Sequence, residues 1–125
     1  MVNKSIKLFI VSAIFLITLE LIYFSLNKDW YKKEIKKSQG SELKLKWSGV
    51  FVRYLSQIAG LNLFVLQPNG SILQSFIYGL IIYGNYLGTN YATINSFDKK
   101  LALVDLLKGG IVMSLTTYFT YNLLE

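Results

Sequence analysis

The chain has 125 residues, 53% of them hydrophobic, with a mean hydropathy of +0.41; that leaves room for one domain and is too apolar for a soluble domain of this size. It contains no cysteine and no histidine, which excludes a disulfide framework, thiolate chemistry, the usual zinc sites and a Ser-His-Asp triad. The net charge is +6, but seven of the twelve lysines lie between Asn27 and Trp47, which puts charge at a membrane surface rather than on a nucleic-acid-binding face.

Leu8 to Leu26 is an apolar run of 19 residues with one charge, Glu20. It is too long for the core of a signal peptide and no small-residue cleavage site follows, so a retained membrane helix is expected. Asn27 to Lys46 reads as a basic connection of 20 residues. Trp30 and Tyr31 sit at its start, where amphipathic rings favour the headgroup level. Asp29 to Lys37 could form a short interfacial helix within it. Lys32, Lys33, Lys36 and Lys37 then face either anionic headgroups, at roughly 1 kcal/mol per cation, or a protein partner.

Trp47 to Leu66 is the second run, interrupted by Arg53, Gln57 and Asn62, whose spacing keeps Arg53 and Gln57 on one helical face. Gln67 to Ser71 is a turn by its chemistry: Pro68 fixes φ, and Asn69-Gly70 tolerates positive φ. Ile72 to Thr93 is the third run, rich in tyrosine and glycine. Gly79, Gly84 and Gly88, with Gly109 in the fourth run, are expected to let helices approach closely, and Gly84-x-x-x-Gly88 has the small-xxx-small spacing. Asn95 to Lys100 connects to the fourth run, Leu101 to Leu124, which carries Asp105 and Lys108 near its start.

The fold expected is therefore all-α: a single integral membrane four-helix bundle over residues 1–125, with spans at about 8–26, 47–66, 72–93 and 101–124. Four spans put both termini and the 67–71 turn on one side and the two basic loops, 27–46 and 95–100, on the other. Lysine counting makes the loop side cytoplasmic.

Glu20 and Arg53 each lie six residues from the cytoplasmic end of their span, roughly 9 Å deep at 1.5 Å per residue. Asn85, Asn90, Asp105 and Lys108 occupy the same leaflet. An ionised group near mid-span costs about 2.5–3.5 kcal/mol, so these six residues are expected to form one intramembrane polar cluster. Arg53 should pair bidentately with Glu20 or Asp105. Lys108 could pair with Asp105 one turn away or snorkel to the headgroups. Such a cluster can be a structural lock, a polar site for a small solute, or a catalytic site, and only the last needs an acid or base of a kind this composition scarcely supplies.

The segment from Tyr83 to Gly110 resembles the signature of an uncharacterised family of small four-span predicted membrane proteins, a domain of unknown function found in bacteria and large DNA viruses. Its third helix typically ends Tyr-Gly-x-Tyr-Asp-x-Thr-Asn-x-Ala-Thr, matched here by Tyr83, Gly84, Tyr86, Thr89, Asn90, Ala92 and Thr93. Its fourth opens with Val-Asp and a glycine four residues later, matched by Val104, Asp105 and Gly109; a late acidic residue in the first span matches Glu20. The family's acidic residue in the third span is Leu87 here, and an aromatic after the fourth-span aspartate is Lys108. The resemblance implies a fold and no activity, and the loss of the third-span acid argues against carboxylate-based transport or catalysis.

The function expected is a structural or interaction component of a membrane assembly, such as a virion's internal membrane. Its partners would be the lipid bilayer and other membrane or capsid-associated proteins, with no nucleic acid, cofactor, metal or enzymatic activity. A small transporter or channel-like protein is the alternative.

Overall fold

A computed structural model describes residues 3–39, 46–94 and 97–124. Residues 40–45 of the first connection and 95–96 of the third lie outside the described residues. Four helices follow one another: α1 (Lys4–Gln39), α2 (Trp47–Leu61) with a π-helical turn at Asn62–Leu66, α3 (Ile72–Thr93) and α4 (Lys99–Leu124).

The first helix departs most from the sequence reading. At 36 residues it is about 54 Å long, against a hydrocarbon core of about 30 Å. A straight helix would overshoot, and the backbone breaks at Asn27 (φ −122°, ψ 15°). There the Asn27 side chain donates to the Tyr23 carbonyl at 3.0 Å, competing with the backbone ladder. Beyond the break the helix resumes through Gln39, taking in the short helix expected over Asp29–Lys37 and making most of the 27–46 connection helical. The reason is local: Lys, Glu, Ile and Gln predominate, and no glycine or proline intervenes before Gly40. We refer to residues 28–39 as the arm.

The second helix loosens into a π turn where Asn62 is buried. Its amide donates to the Ile58 carbonyl at 2.8 Å and to the Ser12 hydroxyl of α1 at 2.9 Å. The turn that follows behaves as its residues dictate. Asn69 takes φ 58°, and Ser71 opens α3 with a reciprocal capping box to Gln74, at 3.0 and 2.7 Å.

The tightest helix pair is α3 against α4. A Cβ on Gly79 would strike the Gly109 carbonyl and lie 2.8 Å from the Gly110 Cα, and one on Gly109 would strike the Tyr83 ring. Gly79 and Gly109 therefore let the two backbones meet. Gly84 and Gly88 do not: a Cβ on Gly84 would make ordinary contact with Leu106 at 3.5 Å, and Gly88 has nothing within 4 Å. The small-xxx-small pair is rotated one step off the packed face, which runs Ser75–Gly79–Tyr83–Leu87.

Polarity is distributed inside out. Ser12, Asn62, Ser75, Thr116, Thr117 and Thr120 are buried beside Leu16, Leu61, Leu66 and Met113, while Ile10, Ile14, Leu21, Phe51, Phe64 and Ile81 are exposed. A water-soluble domain would bury the second group; a bundle solvated by lipid turns it outward and uses hydroxyls and amides between helices. Ser75 to Thr117 at 2.5 Å and Tyr121 to the Gly70 carbonyl at 2.8 Å are such links. Among the described residues, three helices are long and apolar enough to cross a membrane: α1, Trp47–Leu66 and α4. The third helix has 22 residues and no charge, but its tyrosines, asparagines and glycines dilute its hydropathy.

Candidate functional site: one carboxylate shared by four helices

Glu20 is 5% exposed and is met by each of the other three helices. From α4, the Lys108 ammonium lies 3.1 and 3.3 Å from its two oxygens. From α3, the Tyr83 hydroxyl donates to it at 2.6 Å. From α2, Arg53 Nη2 stands 3.7 Å away and donates to the Tyr83 hydroxyl at 3.2 Å. The Lys108 side chain is 9% exposed, whereas that of Arg53 is 48% exposed. Both cations also stand over aromatic faces: Lys108 is 4.7 Å from the Tyr83 ring centre and Arg53 is 5.3 Å from that of Tyr54. Most of the acceptor capacity of a carboxylate is thus filled by two charged donors and a phenol.

A second carboxylate sits beside the first without joining it. Asp105, on α4, accepts from the Tyr31 hydroxyl of the arm. Tyr31 in turn lies 3.0 Å from the Tyr23 hydroxyl and packs edge-on against Trp30 at 4.9 Å. Tyr31 is buried, while Lys32, Lys33, Lys36 and Lys37 are exposed, so the arm lays its aromatic face on the bundle and its lysines outward. The far end of the arm is fastened as well. Lys37 lies 3.5 Å from Asp98, whose other oxygen accepts from the Lys100 backbone N–H at 2.9 Å and begins α4. Glu34 faces Asp98 at this joint. A hydrogen bond with Asp98, together with burial of Glu34, raises the Glu34 carboxyl above its ordinary range, and the same bond with the Lys100 N–H holds Asp98 below its own.

Of the six residues expected to cluster, Glu20, Arg53 and Lys108 come together and Asp105 is adjacent. The closer partner of Glu20 is Lys108, not Arg53. Lys108 neither snorkels nor pairs within its own helix, because Glu20 meets it across the α1–α4 interface. Asn85 is exposed and Asn90 half-buried; neither reaches Glu20, since the rotation of α3 turns Tyr83 inward at that level. Tyr83, Tyr31 and Tyr23 complete the site and carried no charge to mark them. The one available signal is that a tyrosine hydroxyl in an apolar helix needs a partner. No group of three or more carboxylates that could hold a metal occurs among the described residues.

Residues 5–122 match the family described as Predicted membrane protein (DUF2177), and the chain belongs to it. No curated protein and no solved structure matches the chain.

Proposed function

We propose that this chain is a four-span membrane protein with a structural or interaction role, its bundle pinned by Glu20 and its arm presenting lysines to an anionic surface or a protein partner. The observation that carries the reading is that one buried carboxylate is satisfied by a group from each of the other helices. A carboxylate so enclosed holds helices together; to carry a solute or a proton it would have to give up donors it already has. The same saturation argues against catalysis. The fourth span in this reading is α3, whose 22 residues reach about 33 Å. Lysine counting places the arm and the start of α4 in the cytoplasm and both termini on the opposite side.

A second reading, a small transporter or channel-like protein, is favoured by buried oxygens without a partner among the described residues: Gln57 Oε1, Asn62 Oδ1 and Thr120 Oγ1 within the bundle, besides Glu34 Oε2 on the arm. Water on a path through the bundle would satisfy them. One experiment separates the two. In vesicles reconstituted with the wild-type chain, proton and small-solute flux should equal that of empty vesicles, and Glu20→Gln should loosen the bundle. Wild-type flux that vanishes in a still-folded Glu20→Gln variant would replace the structural reading with transport.

A further inference from the structure

The α3–α4 pair is closed at one end and open at the other. At Gly79 the two backbones touch. Farther along α3 the room grows: a Cβ on Gly84 would meet Leu106 at 3.5 Å, and one on Gly88 would meet nothing within 4 Å. The opening is a groove of about 400 Å³, a size typical of ligand-binding clefts. Gly84, Gly88 and Tyr91 line it from α3, and Lys99, Leu103 and Leu106 from α4. Each set follows i, i+4, i+7 and so forms one stripe of its helix. Asp105 and Lys108 belong to another face of α4, turned to Tyr31 and Glu20.

The groove has the length of one leaflet. Gly84 lies nine residues before Thr93, where α3 ends, or roughly 14 Å below the helix end at 1.5 Å per residue. Half of a hydrocarbon core of about 30 Å is the same depth. Leucines and glycines line the inner part, and Leu103 and Leu107 beside it are exposed. Polar groups gather at the outer end alone, as the Lys99 ammonium and the Tyr91 hydroxyl. Both side chains are exposed, and neither makes a hydrogen bond or ion pair among the described residues. No carboxylate lines the groove. Asp98, next to Lys99 in sequence, is engaged by Lys37 of the arm at 3.5 Å.

We propose that this groove seats one acyl chain of an anionic phospholipid, whose phosphate is held at the outer end by Lys99 and Tyr91. The occupant is a lipid because an apolar slot one leaflet long, with donors only at headgroup level, follows the layout of a phospholipid. An anionic headgroup is preferred over a zwitterionic one because the slot offers it a cation and no carboxylate. A second copy of the chain fits less well: an isologous contact here would bring two Lys99 side chains together with no acid between them. Gly84 and Gly88, unfavourable inside a helix and unused in packing against α4, leave the room that the acyl chain fills. The site requires that α3 and α4 lie in lipid; it depends neither on the structural or interaction role nor on the Glu20 lock.

The test is native mass spectrometry of the full chain released from neutral detergent, titrated with phosphatidylglycerol or phosphatidylcholine. One phosphatidylglycerol per chain should bind more tightly than phosphatidylcholine. Lys99→Gln should weaken phosphatidylglycerol about fivefold, as expected for loss of one cation at an anionic headgroup, and leave phosphatidylcholine unchanged. Gly88→Leu fills the widest part of the slot and should abolish the tight site, with the helical circular dichroism of the chain retained. The ratio of the two lipids in Lys99→Gln stands whatever Gly88→Leu does to folding. Equal binding of the two lipids by the wild type, an unchanged ratio in Lys99→Gln, or full binding by Gly88→Leu would each overturn the proposal. So would displacement of the lipid by millimolar glycerol phosphate, which makes a soluble anion the occupant, or a lipid-free dimer that Gly88→Leu dissociates, which makes it a second copy.

Discussion

Replacing Glu20 by glutamine keeps the shape of the hub and removes its charge. Lys108, 9% exposed and 3.1 Å from the lost carboxylate, would be left as a buried cation facing an amide. Breaking a buried ion pair by removing one partner costs about 3–5 kcal/mol, or at least about a hundredfold in the folding equilibrium. Arg53 contributes little of this, because it is half-exposed and 3.7 Å away, so its share is discounted toward that of a surface pair. The double variant Glu20→Gln/Lys108→Met removes both buried charges and should recover most of the loss. The assay is equilibrium unfolding of the detergent-solubilised chain followed by far-ultraviolet circular dichroism, with wild type, both single variants and the double variant as a cycle. The reasoning fails if Glu20→Gln is within about 0.5 kcal/mol of wild type, or if the double variant is no more stable than Glu20→Gln.

Gly79→Ala places a methyl group against the backbone of Gly109 and Gly110 and should cost about 1–3 kcal/mol by overpacking, while Gly88→Ala, in open space, should be neutral or slightly stabilising in the same unfolding experiment. Tyr31→Phe removes the donor to Asp105 and should free the arm at a cost of about 1–3 kcal/mol, read as faster amide exchange over residues 28–39 with the transmembrane helices unchanged. The joint of the arm with α4 should depend on pH in both directions. Because Asp98 titrates below its ordinary value when folded, its contribution is present above that ordinary value and is lost as pH falls through the lowered one. Because Glu34 titrates above its ordinary value, the joint loses stability as pH rises from that value through the raised one. Fluorescence of Trp30 in a Trp47→Phe background should report the loosening on the alkaline side, and Glu34→Gln should abolish that limb alone.

Several of these features can be read from residue order. The third apolar run coincides with α3, and the Pro68–Ser71 turn forms as Asn69-Gly70 and the Ser71/Gln74 capping box require, because turn and cap chemistry is local. Counting residues from span ends also brings Glu20, Arg53 and Lys108 to one depth, since helical rise is fixed. The helix of the arm is legible too, over Asp29–Lys37, because its residues favour helix and no glycine or proline intervenes; its seat on the bundle is not, since Tyr31 meets Asp105 and Lys37 meets Asp98 across long stretches of chain.

An all-α, lipid-solvated chain and the bounds of its third apolar helix follow from the order of residues alone. Hydrophobic run length, turn residues and rise per residue are properties of the chain taken one segment at a time. The rotation of each helix about its axis is set by packing between helices. That rotation selected Gly79 over Gly88 for close packing, Lys108 over Arg53 as the nearer partner of Glu20, and Tyr83 over Asn85 and Asn90 as the group α3 contributes. A turn of some tens of degrees leaves hydropathy and length unchanged, yet it exchanges one set of neighbours for another. It is settled by which side chains interlock across the interface, and no single segment contains that information.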